Sequence, residues 1–197
     1  WSDTMLIVCT DHGFLLGEHG WWGKNAMPWY EELSHTPLYV WDPQEGVAGE
    51  TRDAMVQLID LAPTLLDYFG VDRTERMEGR PLRELVAARV GRTAALFGMF
   101  GGHVNVTDGR YVYMRSCVDQ TNSPLFDYTL MPMRMTAMAS MADLMAIDLT
   151  EPQEWARGLK LLRLPPMRMG NPYPLGTLLF DLETDPEQKS PLVDDEV

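Results

Sequence analysis

The sequence predicts an α/β fold: the end of a sheet flanked by helices, followed by a smaller antiparallel subdomain. Three observations carry it. Met5 to Cys9 reads MLIVC, a continuous apolar run stopped by Thr10-Asp11-His12-Gly13. Met55 to Phe69 places apolar residues at helical spacing. From Ala94 onward the pattern becomes extended, and Asp108-Gly109 separates two short runs as a hairpin signal.

Taken in order, the MLIVC run suits a strand buried on both faces of a parallel sheet. A Gly-rich loop follows from His12 to Pro28, with glycines at 13, 17, 20 and 23. Trp29 to Leu33 is one helical turn or two, and Pro37 to Trp41 (PLYVW) is a second strand of the same kind. Two such strands do not make a stable covered sheet, so either another chain supplies the rest of the sheet or, as is expected, the chain is the C-terminal portion of a larger protein. The helix over 55–69 ends at Gly70, and Pro63 should kink or divide it, with Ala62 ending one piece. A weaker helix is expected over Arg80 to Arg89. Ala94 to Phe100, His103 to Thr107 and Tyr111 to Met114 are extended, and Leu178 to Leu182 is a last strand. The shift near 87–93 divides the chain into 1–90, the end of the α/β domain, and 91–197, the smaller subdomain. Between them and the last strand, Ser116 to Gly176 is Met-rich, with helical spacing from Met138 on; core packing is its favoured reading.

Hydrophobic residues make up 45% of the 197 and charged residues 23%, which excludes disorder as the main theme. A net charge of −13 repels phosphate backbones and anionic membranes, so neither nucleic acid nor membrane is an expected partner. No apolar run reaches the length of a membrane span. Cys9 and Cys117 cannot build a disulfide framework, and Cys9 reads as a small buried apolar residue. A homo-oligomer is left open, and no compartment is assigned.

Chemistry concentrates in Thr10 to Lys24, TDHGFLLGEHGWWGK. The end of an α/β strand is where ligands bind in open sheets. There, Asp11 offers a hard oxygen and His12 a nitrogen, half of a divalent metal site. Gly13 lets the backbone turn sharply. Lys24, after Gly23, can return its ammonium to the same edge and bind an anion beside the metal. His19 is either a site residue or a loop-fixing hydrogen bond, and Glu18 reads as a solvated carboxylate. Trp21, Trp22, Trp29 and Tyr30 either shape a pocket or pack the loop. His103 is expected on the polar face of a strand.

Thr10 to Pro37 resembles the sulfatase family of the alkaline phosphatase superfamily, whose members read Ser/Thr-Asp-His-Gly, Leu-Gly-Glu/Asp-His-Gly, Gly-Lys and then a Pro before a strand. Leu58 to Leu66 is similar to that family's Asp-x-x-Pro-Thr helix, and Glu78 to Leu82 to the segment closing its large domain. Leu179 to Glu187 is similar to its C-terminal Leu-Tyr-Asp-Leu-x-x-Asp-Pro-x-Glu. The resemblance implies the C-terminal part of an alkaline-phosphatase-like sheet and a metal-dependent hydrolase of small sulfate or phosphate esters. It implies Asp11 and His12 as ligands of a divalent metal (Ca²⁺, or Mn²⁺ or Zn²⁺ as the imidazole favours), and Lys24 on the ester group, with His19 a further candidate. The family nucleophile is a formylglycine made within Cys/Ser-x-Pro-x-Arg. That motif is absent from these 197 residues, and it is expected upstream of Trp1. Phosphonate monoester and phosphodiester hydrolases share the pattern, and a non-catalytic binding protein keeping the fold is the third reading.

Overall fold

In the computed structural model, which describes residues 1–24, 28–88, 91–131, 133, 138–166 and 170–194, the MLIVC run forms β1 (Leu6–Cys9). The hairpin β2 (Leu15–Leu16) and β3 (Trp22–Gly23), helix α1 (Glu31–Ser34) and β4 (Leu38–Trp41) follow. β1 pairs with β4 antiparallel, Leu6 opposite Trp41 and Cys9 opposite Leu38. This corrects the parallel, doubly buried strand expected from the apolar run: Leu6, Val8, Tyr39 and Val40 are exposed, and so is Cys9. Apolar runs report a preference for burial, whereas strand direction follows from the connections.

The expected helix over 55–69 is shorter. A 3₁₀ turn at Leu58–Asp60 leads into α2 (Leu61–Tyr68), and Pro63 sits in the first turn of α2, where its missing N–H costs nothing. Gly70, at φ 66, lets Val71 donate back to Leu66 O and close the helix. α3 (Leu82–Ala88) follows. Asp60 holds this region together. It is wholly buried, and its carboxylate accepts from the backbone N–H of Gln57 and Arg80 and from both terminal nitrogens of Arg92, at 2.6 and 2.7 Å. All four acceptor positions are thereby filled. Thr64 Oγ1 donates to Asp60 O and accepts from Leu82 N–H.

A five-stranded antiparallel sheet comes next, built from β5 (Ala95–Gly98), β6 (Val104–Thr107) and β7 (Tyr111–Arg115). The Asp108-Gly109 turn joins the last two; Asp108 Oδ1 accepts from the N–H groups of Arg110 and Tyr111. These backbone bonds hold the Asp108 carboxyl below its ordinary range. After β8 (Asp127–Thr129), helix α4 (Met141–Met145), β9 (Asp148–Leu149) and β10 (Leu162–Leu164), the sheet is completed by β11 (Leu178–Asp181) and β12 (Val193–Asp194). Its order is β12-β11-β7-β6-β5. Val112 and Met114 alternate inward on β7 and face Phe180 and Leu178 across the ladder. Leu15, Trp29 and Leu33 form a second cluster, and Phe97 packs against both. Burying each such side chain contributes about 1.5–3 kcal/mol.

The chain divides into two compact units: Trp1–Met99 with His103–Ser116 and Gly176–Val197, and Phe100–Gly102 with Cys117–Leu175. The second holds a three-stranded sheet, order β8-β10-β9. Its methionines 131, 133, 138, 141 and 145 are exposed, which corrects the core-packing reading. His103 is fully buried rather than on a polar strand face. Arg89, Met135, Asp195 and Glu196 lie outside the described residues. Among the described residues no helix is long and apolar enough to cross a membrane.

Candidate functional site

β1 delivers Asp11 and His12 side by side at its C-terminal end. Thr10 Oγ1 donates to His12 O at 2.9 Å and steadies the turn. The His12 ring places Nδ1 2.9 Å from Gly13 O, so Nδ1 carries the hydrogen and donates it. In the neutral ring the Nε2 lone pair is then free, 3.5 Å from Asp11 Oδ2. The Asp11 side chain is 81% exposed and that of His12 33%. A ring N–H given to a backbone carbonyl, with the lone pair of the other nitrogen left over, is how metal-ligating histidines are oriented. The pair thus fits two positions of a divalent-metal shell. Among the described residues no group of three or more His, Cys, Asp or Glu side chains gathers to fill one.

Gly13 explains why glycine follows the pair. Its N–H donates to Leu33 O at 2.9 Å, and a Cβ here would lie 1.7 Å from Glu32 O. The strand end is seated directly on the backbone of α1. Helix α1 in turn is fixed by Leu33 in the core and, at its start, by Gln188: Glu31 N–H donates to Gln188 Oε1 at 2.7 Å.

The hairpin carries the remaining candidates. Glu18 accepts from Leu16 N–H, and the backbone bonds hold its carboxyl below the ordinary range, so it is a turn-fixing anion. His19, at φ 54, stacks on Tyr30 with ring centroids 3.5 Å apart and planes within 5°, and Nε2 stands 3.7 Å from Glu32 Oε2. The structure therefore places His19 against Tyr30 and Glu32. Burial, with Glu32 nearby, pushes the Tyr30 hydroxyl above its usual range. Lys24 is exposed just after β3. The four aromatic residues split: Trp29 is buried and Tyr30 half-buried, whereas Trp21 and Trp22 are exposed.

Sequence reasoning singled out Asp11, His12 and Lys24 as candidates, of which the structure brings Asp11 and His12 together, and it offered loop packing for Tyr30, but it singled out neither Gln188 nor Glu32. The Asp-Pro-x-Glu pattern puts a carboxylate at position 188, where this chain has Gln188; that was the available signal.

Residues 17–151 match the family model described as N-sulphoglucosamine sulphohydrolase, C-terminal. The chain belongs to this sulfatase family. It is 39% identical over 94 residues to an N-acetylglucosamine-6-O-sulfatase of Bacteroides thetaiotaomicron, covering 48% of this chain and 16% of that one. A choline-sulfatase of Rhizobium meliloti is 29% identical over 147 residues, 70% of this chain and 27% of the relative. The chain thus spans less than a third of the length of either relative. Among solved structures, BT4656 in complex with D-glucosamine-2-N,6-O-disulfate shares the fold, with a TM-score of 0.57 at 18% identity over 95% of this chain and 29% of that chain. A phosphonate monoester hydrolase from Silicibacter pomeroyi gives a TM-score of 0.51 at 26% identity, over 58% of this chain and 26% of that one. The sulfatase fold within the alkaline phosphatase superfamily is therefore that of this chain.

Proposed function

We propose that this chain is part of a metal-dependent sulfuric ester hydrolase, in which Asp11 and His12 hold a divalent metal and Lys24 meets the bound ester group. The observation that carries the reading is the Asp11–His12 pair, with Nε2 free and 3.5 Å from a carboxylate oxygen at a strand's C-terminal end. The sulfatase relatives support the reaction class. A metal there would polarise the ester and stabilise charge on its oxygens. Lys24 would add a fixed cation at the oxygens where charge develops. His19, stacked on Tyr30 and with Nε2 3.7 Å from Glu32 Oε2, fixes the hairpin that carries Lys24. The Cys/Ser-x-Pro-x-Arg motif and further metal ligands come from outside these 197 residues, so the chain by itself turns over no ester.

The likeness to a phosphonate monoester hydrolase favours a second substrate class, phosphonate or phosphate diesters, on the same residues.

Mn²⁺ tests the site directly through paramagnetic broadening in NMR, which detects weak binding by two ligands. Broadening is expected first at the His12 ring and the Gly13 amide, and Asp11→Ala should abolish it. Broadening that ignores Asp11→Ala would refute the metal assignment, and metal-dependent hydrolysis of aryl sulfates by residues 1–197 alone would refute the statement that this chain by itself turns over no ester.

A further inference from the structure

We propose that Gln188 is a positioning residue for the Asp11–His12 pair and acts on it through α1. This rests on the functional reading above only for the purpose of the pair, not for the mechanical link.

The link is continuous. The Asp185 carboxylate accepts from Lys189 N–H at 3.0 Å and Ser190 N–H at 2.8 Å, and Gln188 N–H donates to Asp185 O. That turn forces Gln188 to φ 49, a conformation unfavourable for a residue with a side chain. The side chain is carried inward, and the residue is 2% exposed. There its Oε1 takes the N–H of Glu31, the first residue of α1 and one of the donors a helix start leaves unpaired. One residue along, Glu32 O occupies the space a Cβ at Gly13 would need, and the next, Leu33, accepts the Gly13 N–H at its carbonyl. Gly13 is bonded directly to His12, and its own carbonyl fixes the His12 ring. One hydrogen bond from the far end of the chain therefore fixes the start of the element on which the strand end rests.

Gln188 is more than a packing residue, because its side chain is poorly served for that role. Among the described residues Nε2 is buried with no hydrogen-bond partner, an arrangement that costs stability. Only Oε1 has a use, and that use is α1. The turn itself is anchored independently of the pair: Asp185 N–H donates to Asp181 O, and Asp181 is gripped by both Nε and Nη2 of Arg110. This fork holds the Asp181 carboxyl below its ordinary range. The turn is thus a fixed post against which α1 is held.

The test is amide hydrogen exchange on residues 1–197, read at Gly13 and at Met114 and Phe180 of the sheet. Gln188→Met is nearly isosteric and lacks the acceptor. It should speed Gly13 exchange about tenfold, the loss of one hydrogen bond, with the sheet amides unchanged. Gln188→Glu keeps the acceptor and should leave Gly13 protected. A uniform acceleration at Gly13, Met114 and Phe180 would show a merely structural role and overturn the proposal, as would unchanged Gly13 exchange. If Gln188→Met does not fold, Gln188→Asn retracts the acceptor by one methylene while tolerating positive φ, and the same local acceleration is expected. Mn²⁺ broadening of His12 in the same variants reads the consequence for the metal. Local acceleration at Gly13 in a protein that binds no Mn²⁺ at all would refute the metal reading and support the positioning role.

Discussion

Gly13→Ala concentrates the geometry of the strand end into one methyl group. The new Cβ would stand 1.7 Å from Glu32 O, against the 3.0 Å below which such contacts essentially do not occur. The strand end and α1 must therefore part by 1.3 Å, the difference between those two distances. The 2.9 Å bond from Gly13 N–H to Leu33 O then stretches beyond bonding range. Overpacking of this kind costs about 1–3 kcal/mol, and the lost bond adds about 1 kcal/mol. The expected destabilisation is about 2–4 kcal/mol in urea unfolding. Because the displacement falls on the residue after His12, Mn²⁺ broadening at the His12 ring should weaken as well. In an enzyme containing this segment, a shift of about 1 Å is worth about 100-fold in rate. A variant within 0.5 kcal/mol of wild type, the scatter expected of a neutral surface change at about that size, with Mn²⁺ binding intact, would refute the seating of the strand on α1.

Asp60→Asn leaves the Arg92 guanidinium without its carboxylate and turns an amide donor toward one backbone N–H and one guanidinium nitrogen. We expect a loss of about 3–5 kcal/mol in the same assay, and a loss under about 1 kcal/mol would show that Arg92 escapes to solvent. His103 is buried, which pushes its imidazole below the usual 6.5, opposed by the Gly176 carbonyl beside Nε2. The unfolded chain then binds a proton that the native state refuses, so stability is full above about pH 6.5 and falls as the pH drops below it. Urea midpoints between pH 7.5 and 5 check this, and a midpoint that is flat across that range in wild type counts against it. In a protein that carries the nucleophile segment, His12→Asn should move metal preference toward Ca²⁺. Lys24→Ala should keep the metal and lower kcat/KM by about 100- to 1000-fold; loss of metal in Lys24→Ala would reassign that lysine.

The sheet was legible where alternation and turn chemistry agree. Val112 and Met114, the Asp108-Gly109 turn and Leu178 to Leu182 all stand as the pattern implies. It was not legible at β1, because an unbroken apolar run does not report the direction of its neighbour. The helical spacing from Met55 overran the helix, since Leu58–Asp60 is shaped by the needs of a buried carboxylate whose main partner, Arg92, is 32 residues away. The same spacing from Met138 located α4 but placed its methionines inward, where the structure has them exposed. At the site, the Asp11-His12 dipeptide needed only a strand before it and a glycine after it. Gln188 meets Glu31 across 157 residues, and no local pattern carries such a contact.

The neighbours β7 and β11 are hydrogen-bonded from Met114–Leu178 to Tyr111–Asp181. Just past the end of that ladder, Ser116 N–H donates to Thr177 Oγ1 at 3.2 Å. Topologically, all of Cys117–Leu175 is the loop of a single hairpin whose neck is already closed. The entropy of closing a loop rises by only about 0.6 kcal/mol per doubling of its length, so the sheet is nearly indifferent to how much chain is inserted there. The cross-strand pairs Val112–Phe180 and Met114–Leu178 lie on the closed side of that neck, whatever length the excursion has. Anyone engineering this scaffold has at residues 116 and 177 a neck held by one hydrogen bond, at which a foreign segment can be inserted.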